Sequence, residues 1–155
     1  DTVGILIVDD DENIRNVLTA ILEEEGYVVE SADTAKKGIE KTEKSVYNLA
    51  LIDVRLPDME GIELLSKMRD TKPKMRKIIV TGYPTLQNAV AAVNKGADAY
   101  VMKPFDVENI LQTIKLQLKK QREEQNFTEA KVAEFIETRV KELETVEQRS
   151  AKNRF

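Results

Sequence analysis

One pattern limits the fold of this chain more than any other. Short apolar runs alternate five times with stretches whose apolar residues recur at helix spacing. Val3–Val8 is the first run, continuous enough for a strand buried on both faces. Ile14, Val17, Leu18, Ile21 and Leu22 then follow at helical intervals, and Gly26 closes that helix. Tyr27–Ser31 reads as the second strand, and Thr34 caps a helix running to about Glu43. Leu49–Val54 with Gly61–Arg69 makes the third pair, and Lys77–Thr81 with Thr85–Lys95, closed by Gly96, the fourth. Ala99–Met102 and a helix capped by Asp106 make the fifth. This alternation predicts an α/β fold: a doubly wound, five-stranded parallel sheet with helices on both faces.

The last helix is expected to bury Ile110, Leu111, Ile114 and Leu118, and residues 1–120 form the domain. Residues 121–155 are a helical extension, serving as linker or dimerisation helix. A polar run, Lys119–Asn126, separates it from the domain helix, and Asn126 with Glu129 resembles a capping box. A second helix is therefore expected from about Phe127 to about Arg149. Ala133, Ile136, Val140 and Leu143 line one side of it at spacings of 3, 4 and 3. That stripe suits an amphipathic helix lying on its own domain, and equally a dimer seam or signalling linker; two heptads do not define a coiled coil. The extension carries seven basic and eight acidic side chains, so it is no basic nucleic-acid arm.

Four chemically useful features fall just past strand ends. Asp9, Asp10 and Asp11 follow the first strand, Asp53 lies at the end of the third, Thr81 ends the fourth, and Lys103-Pro104 follows the fifth. In an open α/β sheet, ligands bind outside the carboxyl ends of the strands. The four features, distant in sequence, therefore share one sheet edge. Singly each has a plainer explanation: Asp10 or Asp11 as a helix cap, Thr81 as β-propensity, Lys-Pro as a turn.

Composition narrows the chemistry. The chain has no Cys and no His, which removes thiol and imidazole nucleophile pairs and soft or nitrogen metal ligands. A metal here must be a hard, oxygen-liganded one, and Mg²⁺ suits a site of few carboxylates and phosphate oxygens. One carboxylate of the set can attack phosphorus and form an aspartyl phosphate. Mg²⁺ and Lys103 would neutralise the transferring group, and Thr81 can donate to a phosphoryl oxygen. Lys+Arg 24 against Asp+Glu 28 leaves a net charge of −4, which argues against a nucleic-acid surface. No stretch reaches the ~20 apolar residues of a membrane span, and no signal peptide is visible. A cytoplasmic protein is the expectation.

The runs Ile5-Leu6-Ile7-Val8-Asp9-Asp10-Asp11, Leu51-Ile52-Asp53-Val54-Arg55-Leu56-Pro57-Asp58-Met59-Glu60-Gly61, Ile79-Val80-Thr81-Gly82 and Tyr100-Val101-Met102-Lys103-Pro104-Phe105 stand in this order. They resemble the receiver domain of two-component response regulators across residues 3–120. The resemblance implies a flavodoxin-like strand order, 2-1-3-4-5. It implies that Asp53 is phosphorylated by a sensor histidine kinase. It places Mg²⁺ on Asp10, on Asp9 through water, on Asp53 and on the backbone carbonyl of Arg55. It gives Lys103 the phosphoryl oxygens, with a cis peptide before Pro104. Thr81 and Tyr100 would be the switch pair, and residues 85–118 the surface that changes and that can pair two copies. Arg55 and Tyr83 would border the path of hydrolytic water, and their bulk implies slow loss of the phosphoryl group. Such a domain is a switch whose only catalysis is on its own aspartyl phosphate.

Two rival readings remain at this stage. A haloacid-dehalogenase-like, Mg²⁺-dependent phosphatase also begins with Asp-x-Asp after its first strand, which Asp9-x-Asp11 fits. It leaves Asp53 without a role, and its later acidic pair is absent. An unphosphorylated interaction module would keep the fold alone, against which the intact acidic set argues.

Overall fold

The structure, a computed structural model, describes residues 2–153. Its elements follow the alternation: β1 Gly4–Val8, α1 Glu12–Glu24, β2 Val28–Ala32, α2 Ala35–Lys44, β3 Leu49–Ile52, α3 Gly61–Lys67, β4 Arg76–Thr81, α4 Leu86–Asn94, β5 Ala99–Met102 and α5 Val107–Asn153. All five strands are parallel, in the order β2-β1-β3-β4-β5. Their pleat sorts the core into two layers. Leu6, Val8, Ala50, Ile52 and Ile79 pack with Ala35 of α2, Leu64 and Leu65 of α3 and Ala92 of α4. Ile5, Ile7, Leu49, Leu51, Ile78 and Val80 pack with Leu18 and Leu22 of α1 and Ile110, Ile114 and Leu118 of α5. Truncating any one of the fully buried Leu or Ile side chains to Ala would cost about 2–5 kcal/mol.

The turns out of α1 and α4 need left-handed backbone, and glycine supplies it: φ is 90° at Gly26 and 101° at Gly96. Asp11 caps α1, its carboxylate accepting from the backbone N–H of Asn13 at 2.9 Å and of Ile14 at 3.3 Å. Thr34 and Thr85 cap α2 and α4 in the same way.

Sequence and structure differ in places. The second strand is shifted by one residue to Val28–Ala32. The fourth begins at Arg76, whose N–H bonds the Asn48 carbonyl at 2.9 Å and whose guanidinium meets Asp98 at 3.2 Å. Helix α3 stops at Lys67 rather than Arg69, because buried Met68 is extended and the Arg69 side chain turns to donate to the Thr42 carbonyl at 2.6 Å.

The expected break near Asn126 is absent: α5 runs unbroken from Val107 to Asn153. Lys119–Gln125 are strong helix formers, and one Asn costs only a fraction of a kcal/mol. A break would strand backbone groups on both sides of it. Glu129 does not reach back as a box; its carboxylate accepts from Gln125 Nε2 at 3.4 Å, one helical turn earlier. The chain divides into two units, Asp1–Gln121 and Arg122–Phe155.

Candidate functional site

Strand register builds the site. Val8 pairs with Ile52 across β1 and β3, so Asp9 and Asp53, each one residue further on, emerge side by side. Thr81 pairs with Met102 across β4 and β5, which sets Lys103 next in line. A cleft of about 520 Å³ opens at this edge, lined by Asp9, Asp10, Asp11, Asp53, Arg55, Gly82, Tyr83 and Lys103.

Oxygens of Asp9, Asp10 and Asp53 all lie within 4.8 Å of one another. Asp9 and Asp53 are buried and Asp10 is exposed. Such a set repels itself unless cations intervene. Lys103 is one: its Nζ lies 2.8 Å from Asp9 Oδ2 and 3.6 Å from Asp53 Oδ2. Asp9 is further held by the Asp11 N–H, 2.9 Å from its Oδ1. Burial pushes the Asp53 carboxyl above the usual carboxylate range; Asp9 and Asp10 add to that, and Lys103 opposes it. Burial works against a charged Lys103, yet the hydrogen bond and charge of Asp9, then the charge of Asp53, outweigh it and raise its pKa.

Thr81 and Tyr100 do not line the cleft. Thr81 is fully buried, and its hydroxyl accepts from the Tyr83 N–H at 3.0 Å. Tyr100 packs against the α2–α4 layer, with its hydroxyl buried and unpartnered. The Lys103–Pro104 peptide is cis. Arg55 and Tyr83 meet over the cleft, the guanidinium carbon 3.7 Å from the ring centre. Asp11, which the phosphatase reading needs as a catalytic group, is engaged as the cap of α1.

Sequence reasoning left three supporting residues without a role. A Cβ on Gly61 would stand 1.9 Å from the Asp53 carbonyl oxygen, so the β3–α3 loop can close against the site only with glycine there. A Gly opening a helix was the available signal, since helix propensity gives no reason for it. Arg15 Nη1 donates to the Asp9 carbonyl at 2.7 Å. Asp58 reaches across to α2, accepting from the N–H groups of Ala35 and Lys36 at 2.9 Å each.

The response regulator receiver domain family matches residues 5–115. A CheY-like receiver domain from Methanospirillum hungatei JF-1 is 51 % identical, with a TM-score of 0.77 over 80 % of this chain and 99 % of that one. A Burkholderia pseudomallei response regulator, solved with a phosphorylated aspartic acid, a calcium ion and citrate, is 30 % identical, with a TM-score of 0.69 over 80 % of this chain and 72 % of that one. The transcriptional regulatory protein ZraR of Escherichia coli (strain K12) is 35 % identical over 114 residues, 74 % of this chain and 26 % of that protein. The chain thus spans about a quarter of that relative's length. Fold, site and matches together define a phosphorylation-activated regulatory domain rather than a metabolic enzyme. The chain belongs to the receiver domain family of two-component response regulators.

Proposed function

We propose that Asp53 is the phosphoacceptor and that Asp9, Asp10, Asp53 and the backbone carbonyl of Arg55 hold Mg²⁺. The observation that carries this reading is the convergence of the three carboxylates beside Lys103. The donor set fits Mg²⁺: it is all oxygen, and one of its carboxylates is solvent-facing, leaving room for the retained waters of that ion. When bound, Mg²⁺ neutralises the acidic set and the oxygens of the transferring group.

An Asp53 carboxylate oxygen bonds to phosphorus in line as the phosphorus–nitrogen bond of a phosphohistidine breaks. The electron pair leaves with the imidazole. Lys103, already shared between Asp9 and Asp53, takes the phosphoryl oxygens. The Thr81 hydroxyl is used here as an acceptor, so its hydrogen is free to donate to a phosphoryl oxygen. Tyr100, its hydroxyl unpartnered, follows Thr81 as the second member of the switch. The phosphoryl group biases the two states by the contacts it makes in only one of them. The face that changes is α4, β5 and the start of α5, where Leu86, Val93 and Met102 are exposed for a partner or a second copy.

The chain has no His, so the phosphohistidine of the sensor kinase lies outside these residues, on another molecule or on a further part of the same protein. No helix among the described residues is long and apolar enough to cross a membrane; a cytoplasmic place beside that kinase is part of the proposal. The structural relative from B. pseudomallei, with its phosphorylated aspartic acid and calcium ion, supports the same chemistry.

Incubation with acetyl phosphate and Mg²⁺, followed by intact-mass spectrometry, tests the reading. A gain of one phosphoryl group, absent in Asp53→Asn, is expected. Phosphorylation that persists in Asp53→Asn removes Asp53 from the role. Turnover of a generic phosphomonoester, abolished by Asp9→Asn but not by Asp53→Asn, would replace the switch with a phosphatase.

A further inference from the structure

The second unit is one helix that exposes an apolar face. Within it, Val132, Ile136, Val140, Leu143 and Val146 are each about half exposed or more. An isolated helix gains most of its stability from covering such a face. What covers it can be read from the charges beside it.

In heptad terms Ala133 and Val140 take a positions, Ile136 and Leu143 take d positions, and these four are the uninterrupted seam. The register starting at Val132 is poorer, because it places Arg139 and Glu142 in the seam. In the better register Glu137 and Glu144 are e, and Val132, Arg139 and Val146 are g. A parallel partner of the same sequence sets g of one chain against the following e of the other. Arg139 then faces Glu144 of the second copy, twice by symmetry. An antiparallel partner sets e against e and brings Glu137 and Glu144 together. The structure holds Arg139 at 2.8 Å from Glu142 within its own chain, and the five donors of its guanidinium leave it able to reach a second carboxylate. Val140 at a with Leu143 at d favours two strands.

We propose that residues 132–146 form the seam of a parallel, in-register, two-stranded coiled coil with a second copy of this chain. The seam is only about two heptads long, so the dimer forms and separates with concentration over the micromolar range. The proposal does not depend on phosphorylation of Asp53.

The complete chain, with no phosphoryl donor, is to be followed by sedimentation over a concentration series. A monomer–dimer equilibrium is expected. Ile136→Glu/Leu143→Glu should leave a monomer of unchanged helicity. Arg139→Glu should weaken the dimer about tenfold by turning two attractions into repulsions, and Arg139→Glu/Glu144→Arg should restore it. Because the chain has no Cys, Val140→Cys gives a clean report of orientation. It should form a disulfide-linked dimer on oxidation, and outward-facing Lys141→Cys should not. Monomer throughout, a trimer, a dimer surviving Ile136→Glu/Leu143→Glu, failed rescue by the charge swap, or equal cross-linking of the two cysteine variants each overturns the proposal.

Discussion

The guanidinium of Arg55 stacks on the ring of Tyr83, 3.7 Å from its centre, over the cleft that holds Asp53. The two residues come from different loops, two positions after Asp53 and two after Thr81. If Asp53 carries the proposed acyl phosphate, the stacked pair would act as a unit to narrow the approach of water to it, each residue holding the other in place. An exposed cation–π contact is worth about 0.5–1 kcal/mol. Arg55→Ala and Tyr83→Ala are expected to hasten loss of the phosphoryl group a few-fold, about 1 kcal/mol of barrier. The double variant should add little to either single one. Phosphate release after removal of the donor measures this, and an unchanged half-life in both single variants discards the idea.

Gly61 and Gly82 make a matched test of how the β3–α3 loop supports the site. A methyl group at Gly61 would overlap the Asp53 carbonyl at 1.9 Å, whereas at Gly82 its nearest neighbour is Lys103 Cβ at 3.9 Å. Backbone cannot yield as a flexible side chain can. Gly61→Ala is expected to lose on the order of 3 kcal/mol of stability, at the upper end of overpacking costs, and phosphorylation with it. Gly82→Ala should stay within about 0.5 kcal/mol of the parent. Denaturant unfolding compares the two, and equal stability would show that the loop moves aside.

Asp58 stands five residues after Asp53 yet serves structure. It accepts from the Ala35 and Lys36 N–H groups at the start of α2. These hydrogen bonds, that of Lys36 first, hold its carboxyl below the ordinary range. A depressed folded pKa gives stability that is present above the unfolded pKa and lost as pH falls through the folded value. Asp58→Asn should therefore be less stable than the parent at neutral pH, with the difference shrinking on acidification below the ordinary carboxylate range. Thermal melts across that range check it; a difference that grows on acidification contradicts the assignment.

Much of this was legible because the buried parallel strands leave continuous apolar runs, and the carboxyl ends of such runs mark the site edge. Asp9, Asp53 and Lys103, placed at that edge by the ends of the runs, do meet in the cleft, whereas Thr81, placed there by the same reasoning, is buried and does not line it. The helix break at Asn126 was misread because a polar run looks like a boundary, whereas the same Lys, Glu, Gln and Arg residues favour helix. Only a glycine opening a helix points to the role of Gly61, because a close approach between Cβ and a carbonyl is a tertiary fact with no periodicity. The stack of Arg55 on Tyr83 was hidden, although both positions were singled out.

Metal binding separates the site's electrostatics from its chemistry. Asp9, Asp10 and Asp53 share space with one firm counter-charge, Lys103. Mg²⁺ that binds the folded chain alone stabilises it by about 1.4 kcal/mol at ten times its dissociation constant. The parent should therefore melt higher in Mg²⁺ than in chelator. Asp53→Asn removes one proposed ligand and one repelling charge together. It should melt above the parent in chelator and gain little from Mg²⁺. Lys103→Met should do the reverse: it leaves two buried carboxylates without their ammonium, so it melts lowest in chelator and gains most from the ion. Calorimetric scans of the three proteins, with and without Mg²⁺, give six melting temperatures. An Mg²⁺ gain in Asp53→Asn equal to that of the parent would place the ion elsewhere.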